Sequence, residues 1–192
     1  MPSLPTLPHR TWLERTSLTL ASVVVAMGLG SMLAWWTHTA ELLQPFAPQS
    51  PMRINAAVGF LLLAGVLLAL ELGQKKYAAL ALVPTLIGAL TFVEYLFGVD
   101  LRIDELLSTD YIGVAAEHPG RMSVLTAVCI TLSGLVLAWR ATERAGYQRR
   151  FTEAVIGSAL ASAGFSTLLG HSAGLPAVYT WGTLTATSPL SV

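Results

Sequence analysis

The chain has 192 residues, of which 54% are hydrophobic and only 11% are charged, against roughly 25% charged in an average soluble domain. So few charges cannot clothe a water-soluble fold of this length, and the composition argues for an all-α integral membrane protein. Eleven basic residues balance eleven acidic ones, so the clustered positive surface that nucleic-acid binding requires is not indicated. The single cysteine, Cys129, leaves no disulfide within the chain. It lies in an apolar run and reads as a small buried apolar side chain.

In chain order, a short segment, 1–15, is expected in the cytoplasm. A transmembrane bundle, 16–192, is expected after it. Five stretches are long and apolar enough to cross a bilayer, which takes about 20 residues: 16–36, 54–72, 77–97, 122–139 and 151–170. Each is apolar all round, without the polar face of a soluble helix. The first is too long for a signal-peptide core and closes on Trp35 and Trp36, an interfacial aromatic pair. Pro84 is expected to kink the third.

Arg10, Arg15, Lys75, Lys76, Arg140, Arg144, Arg149 and Arg150 fall on one side of this arrangement, and only Arg53, Arg102 and Arg121 on the other. The positive-inside rule then places the N-terminus in the cytoplasm. The acidic loop 100–117 faces outward, and the tail 171–192 begins outside.

An internal repeat is legible. "PMRINAAVGFLLL" and "PGRMSVLTAVCITL" both open Pro-x-Arg and run through a short polar patch to Ala-Val and an apolar helix. Asn55 matches Leu125 and Ala57 matches Ala127, 70 residues on. "LTFVEYLFGVDLRIDELL" and "FSTLLGHSAGLPAVYTWGTL" each end a helix at glycine and enter a loop of apolar character. The unit is a helix out, a surface or re-entrant segment, and a helix in. The third unit stops after "TWGTLTATSPLSV", where a sixth helix is expected. Two readings stand, a longer native chain with a cytoplasmic domain beyond, favoured here, or an odd number of spans.

Glu94, one turn from the outer end of the third span and followed by Tyr95, is a candidate ligand or proton site, since a carboxylate in hydrocarbon needs a partner. The bland alternative is a carboxylate bonded to a neighbouring helix. In "VDLRIDELL" the apolar residues interleave with the charges, as in an amphipathic helix lying in the headgroup boundary. That is favoured over cation capture by Asp100, Asp104, Glu105, Asp110 and Glu117, because no calcium-loop pattern is present. His38, His118 and His171 lie at the outer surface with no metal-ligand spacing. No cofactor is expected, and haem or metal only weakly. Arg53 and Arg121 occupy one repeat position at the outer mouths of two spans, placed to snorkel to phosphates or to pair with Glu94 or the acidic loop. The candidate ligand set is Glu94, Tyr95, Asp104, His118, Arg121 and His171. Gly157, Ala161 and Gly164 form a small-residue stripe for close helix packing, within the bundle before between copies. Gly28 and Gly30 lie inside a span, not in a nucleotide loop, and no catalytic constellation is found.

The segments "PMRINAAVGFLLLAGVLLAL", "YLFGVDLRIDELL", "HPGRMSVLTAVCITLSGLVLAW" and "LGHSAGLPAVYTWGTLT" together resemble the N-terminal multi-span regions of bacterial membrane sensor proteins. The resemblance covers most of the chain after about Arg53, and "FGVDLRIDELL" followed by "HPGRMS" is its most distinctive part. In that family the region precedes PAS, histidine-kinase or diguanylate-cyclase domains, as in two-component signal transduction. The resemblance implies a sensory or regulatory input domain, not an enzyme, and carries no binding residues with it. The departure is the absent final helix and output domain. The alternatives are a small accessory or structural subunit of a larger membrane complex and, third, a small transporter. Transporters concentrate ionisable groups at the midplane, whereas here they crowd the span ends. The expected partners are the lipid bilayer, a second copy or larger complex, and cytoplasmic signalling domains.

Overall fold

The computed structural model describes residues 11–43, 51–112, 118–140, 142 and 146–175. The expectations for Arg10, Arg144, Glu117 and the tail beyond Leu175 lie outside the described residues. Among the described residues the chain is helical and contains no strand. The helices are α1 (Trp12–Trp36), α2 (Ala40–Leu43), α3 (Ile54–Glu71), α4 (Leu82–Phe97), α5 (Val124–Arg140) and α6 (Tyr147–Ser172), with a 3-10 segment, Lys75–Ala81, leading into α4.

α1 begins four residues earlier than the hydropathy pattern places it. Thr11 and Glu14 close a capping box, each side chain accepting from the other's backbone N–H, and satisfy donors that the first turn leaves open. Pro84 does not kink a long helix. The α-helix starts only at Leu82, so Pro84 sits in its first turn, where a missing N–H breaks no intrahelical bond. α1, α3, the 3-10 segment with α4, and α6 are each apolar and long enough to cross a membrane. α5 is the exception. Its 17 residues span about 26 Å, because Met122 and Ser123, expected inside the span, lie before the helix.

Successive long helices run antiparallel. Ser17, Glu71 and Arg140 meet at one end, where Ser17 Oγ donates to Glu71 at 3.4 Å and Arg140 pairs with Glu71 at 3.6 Å. Lys75, Lys76, Arg149 and Arg150 lie toward this end, the basic end. The loop between α4 and α5 closes the other, the acidic end.

The closest packing joins α1 to α3 and α4 to α5, and α3 also touches α4 and α5. Each pair has a glycine seated against an alanine carbonyl of its partner helix. A Cβ on Gly28 would lie 3.2 Å from the Ala57 carbonyl oxygen, and one on Gly88 would lie 2.6 Å from the Ala127 carbonyl oxygen. Ala57 and Ala127, the matched residues of the repeat, are both fully buried. Ala57 and Ala127 thus take like positions in the two helix pairs, whereas the arginines before them do not. The N–H of Ala57 donates to the carbonyl of Arg53, whereas that of Ala127 donates to Ser123. Ser123, not Arg121, is the counterpart of Arg53, since two extra residues separate Arg121 from its helix.

Many large apolar side chains face outward around the hydrophobic core. α1 buries Ala21, Gly28, Ser31, Ala34 and Trp35 and turns Leu20, Val23, Leu29 and Leu33 outward, each at least half exposed. The small-residue stripe of α6 is open at two of its three positions, and Gly164 is half-buried. Gly157 and Ala161 are exposed, and a Cβ on Gly157 would meet nothing within 4 Å. Tight helix contact lies instead at Gly28, Gly88 and Gly134.

Candidate functional site

The loop 99–112 is not the amphipathic helix its pattern suggests. Side chains capture the backbone donors that a helix would use. The N–H of Leu101 donates to Glu94 Oε1 at 2.8 Å, and the N–H of Arg102 donates to Asp100 Oδ1 at 2.8 Å. Gly98 ends α4 in the left-handed region, with φ 63°. Asn55, at the start of α3, donates its amide to the carbonyls of Ile103 at 3.1 Å and Asp104 at 3.0 Å. The loop is thus drawn down across the bundle, and Leu101, Leu106 and Leu107 are left exposed.

Its centre is Arg121, which is 1% exposed. The preceding Pro119-Gly120 turn puts it there. Gly120 has φ 74°, and a Cβ on it would lie 2.9 Å from the Asp104 carbonyl oxygen, so that turn is open only to glycine. Arg121 Nε donates to Asp104 Oδ2 at 2.7 Å. Its Nη2 lies 3.5 Å from Glu94 and 3.9 Å from Asp100. The guanidinium stands over the Tyr95 ring at 5.4 Å, and the Tyr95 hydroxyl donates to the Met122 carbonyl at 3.0 Å. Burial pushes the Asp104 carboxyl above its ordinary value of 3.8, while the hydrogen bond and charge of Arg121 pull the other way.

Four of the six predicted ligand residues, Glu94, Tyr95, Asp104 and Arg121, therefore meet. Above them lies a polar cavity of about 320 Å³ lined by Asp100, Arg102, Asp104, Glu105, His118, Pro119 and Arg121. His118 joins the group at this wall. His171 does not; it lies in the last turn of α6. Of the two fates open to Arg53 and Arg121, snorkelling to phosphates or pairing with carboxylates, the structure shows pairing, with both side chains buried.

A second buried cluster gives Arg53 its partner in the acidic loop, where the sequence named no particular residue. Arg53 pairs with Asp110, both about 3% exposed or less, and Asp110 also accepts from the N–H of Gly120 at 3.2 Å. Beside it, Trp35 and Trp36 divide. Trp36 is exposed, but Trp35 is buried, donates its indole N–H to the Met52 carbonyl at 2.8 Å and meets Tyr111 edge-on at 5.0 Å. His38 tilts against the same Tyr111 ring at 4.6 Å. The Tyr111 hydroxyl donates to the Ala34 carbonyl at 3.2 Å. The available signal was the pair of arginines, since two buried cations require two carboxylates.

Among the described residues, Glu94, Asp100 and Asp104 could hold a cation, each with an oxygen within 4.8 Å of the others. Comparison with protein-family models, curated proteins and solved structures found no match to this chain.

Proposed function

We propose that the chain is the membrane-embedded sensory input region of a bacterial signalling protein, not catalytic in itself, with its N-terminus in the cytoplasm and its acidic end outward. The observation that carries this reading is the Arg121 network. One buried guanidinium ties α4 through Glu94, the loop through Asp104, and the approach to α5. A stimulus that rearranges those charges changes how α4 and α5 pack, and a packed helix pair conveys such a change to its far end. The large apolar side chains turned outward on α1, α4 and α6 suit a lipid surround, and the basic residues at the opposite end suit a cytoplasmic face. On this reading all five apolar helices cross, α5 completing its crossing through Met122 and Ser123.

The test places spin labels at Gln74 and Thr142, at the basic end, in a Cys129→Ala background. Arg121→Gln is expected to shift the distance distribution between them; an unchanged distribution overturns the reading. A second reading, an accessory subunit of a larger membrane complex, is favoured by the exposed Gly157–Ala161 face of α6, and co-purification of a stoichiometric larger partner would select it.

A further inference from the structure

We propose that the acidic end binds a divalent cation, calcium in preference to magnesium, through Glu94, Asp100 and Asp104. The inference names the ligand class of the site used above, and rests on that reading for placing the site outside the cytoplasm.

The first observation is the convergence of the three donors within 4.8 Å. Calcium binds oxygen at about 2.3–2.6 Å, so ligands on opposite sides of one ion stand about 4.6–5.2 Å apart. A separation of up to 4.8 Å lies within that range. Magnesium, at about 2.0–2.1 Å, holds opposite ligands about 4.2 Å apart in a strict octahedron, and would require the loop to contract.

The second observation is independent of that spacing. Glu94 is fully buried, yet its Oε2 has no hydrogen-bond partner among the described residues. The same holds for Oδ1 of Asp104, which is 5% exposed. In each carboxylate one oxygen is committed, Glu94 Oε1 to the Leu101 N–H and Asp104 Oδ2 to Arg121. The other is left over. The fully buried Thr91 hydroxyl, one turn earlier on α4, is also without a partner. Buried acceptors in this condition call for a donor, a water or a cation.

Charge selects the cation. Three carboxylates meet one guanidinium, and Arg102 and Glu105 at the cavity wall offset each other. Arg121 does not fill the gap, because its Nη2 stays 3.5 Å and 3.9 Å from Glu94 and Asp100 while Nε holds Asp104. An ion seated on Glu94 Oε2, Asp104 Oδ1 and Asp100 leaves that Nε hydrogen bond intact. The cavity of about 320 Å³ admits the ion and the waters that complete its shell.

Isothermal titration of the purified, chelator-treated full chain with calcium chloride tests this. One calcium per chain is expected, with an affinity at least tenfold above that for magnesium. Asp100→Asn, at a side chain 62% exposed that leaves the Arg121–Asp104 bond in place, is expected to weaken binding at least tenfold. Glu41→Gln, an exposed acid on α2, is expected to leave it unchanged. Terbium luminescence, sensitised by the adjacent Tyr95 and quenched by calcium before magnesium, reads the same site without a variant. No binding at about 1 mM calcium, the weak end for extracellular sites, overturns the proposal, as does equal weakening by Glu41→Gln. A chain that binds calcium while its labels at Gln74 and Thr142 ignore Arg121→Gln retains the ion site and loses the sensor reading.

Discussion

Arg121 and Asp104 are joined by a 2.7 Å hydrogen bond between two side chains that water scarcely reaches. Removing one partner of such a pair strands the other charge, which costs more than the pair contributes. Arg121→Gln is therefore expected to destabilise the chain by about 3–5 kcal/mol, read as the unfolding midpoint in detergent. Arg121→Lys should recover little, since a single ammonium cannot hold Asp104 through one nitrogen while turning a second toward Glu94.

Arg53 and Asp110 form the second buried pair, and their energies should be coupled. In a double-mutant cycle with Arg53→Met and Asp110→Asn, the double variant is expected to lose less than the sum of the singles by about 1–3 kcal/mol. Strict additivity in chemical unfolding would deny the pair.

The α4–α5 contact should reject a single methyl group. A Cβ on Gly134 would lie 2.8 Å from the Ala81 carbonyl oxygen, and backbone cannot rotate away. Gly134→Ala is expected to cost about 1–3 kcal/mol through overpacking. Gly30→Ala, with nothing within 4 Å, should be neutral or stabilising by up to about 1 kcal/mol, because alanine favours the helix. Thermal unfolding of the two variants side by side is the check.

Loop and bundle are fastened by Asn55. Asn55→Ala removes two hydrogen bonds to loop carbonyls, each contributing about 0.5–1.5 kcal/mol. Amide hydrogen exchange across 99–112 should accelerate, while exchange in α1 stays as it was.

Tyr111 supplies the pH dependence. Burial first, and then the charge of Asp110, raise its phenol above the ordinary value of 10.0. Folding therefore favours the protonated form. Its contribution is fully present below pH 10 and is lost as pH rises through the raised value. Phenolate absorbance of the folded chain should include one late-titrating tyrosine, missing in Tyr111→Phe.

Hydropathy located the long helices because a lipid-like surround needs little beyond apolar length. The same signal cannot see where a helix ends. Met122 and Ser123 are compatible with a span, yet the turn that buries Arg121 keeps them out of α5. Glu94, Tyr95, Asp104 and Arg121 stood out as a candidate site because ionisable residues at the ends of apolar runs need partners. Asp110 and Asn55 did not, since their roles arise from contacts spanning 57 and 49 residues of chain. The loop was misread as a helix because its leucines keep helical spacing, while Glu94 and Asp100 take the N–H groups that spacing would have used.

The glycine seats at Ala57 and Ala127 bear on how the chain is made. Each lies within a pair of helices consecutive among the long ones, so α1 and α3 possess their complete mutual fit before α4 has been synthesised. The α4–α5 hairpin then arrives with its own. Asn55 and Arg53 of the first hairpin grip the loop of the second. The charge cluster around Arg121 lies wholly within the second hairpin, and the first adds only its fastening.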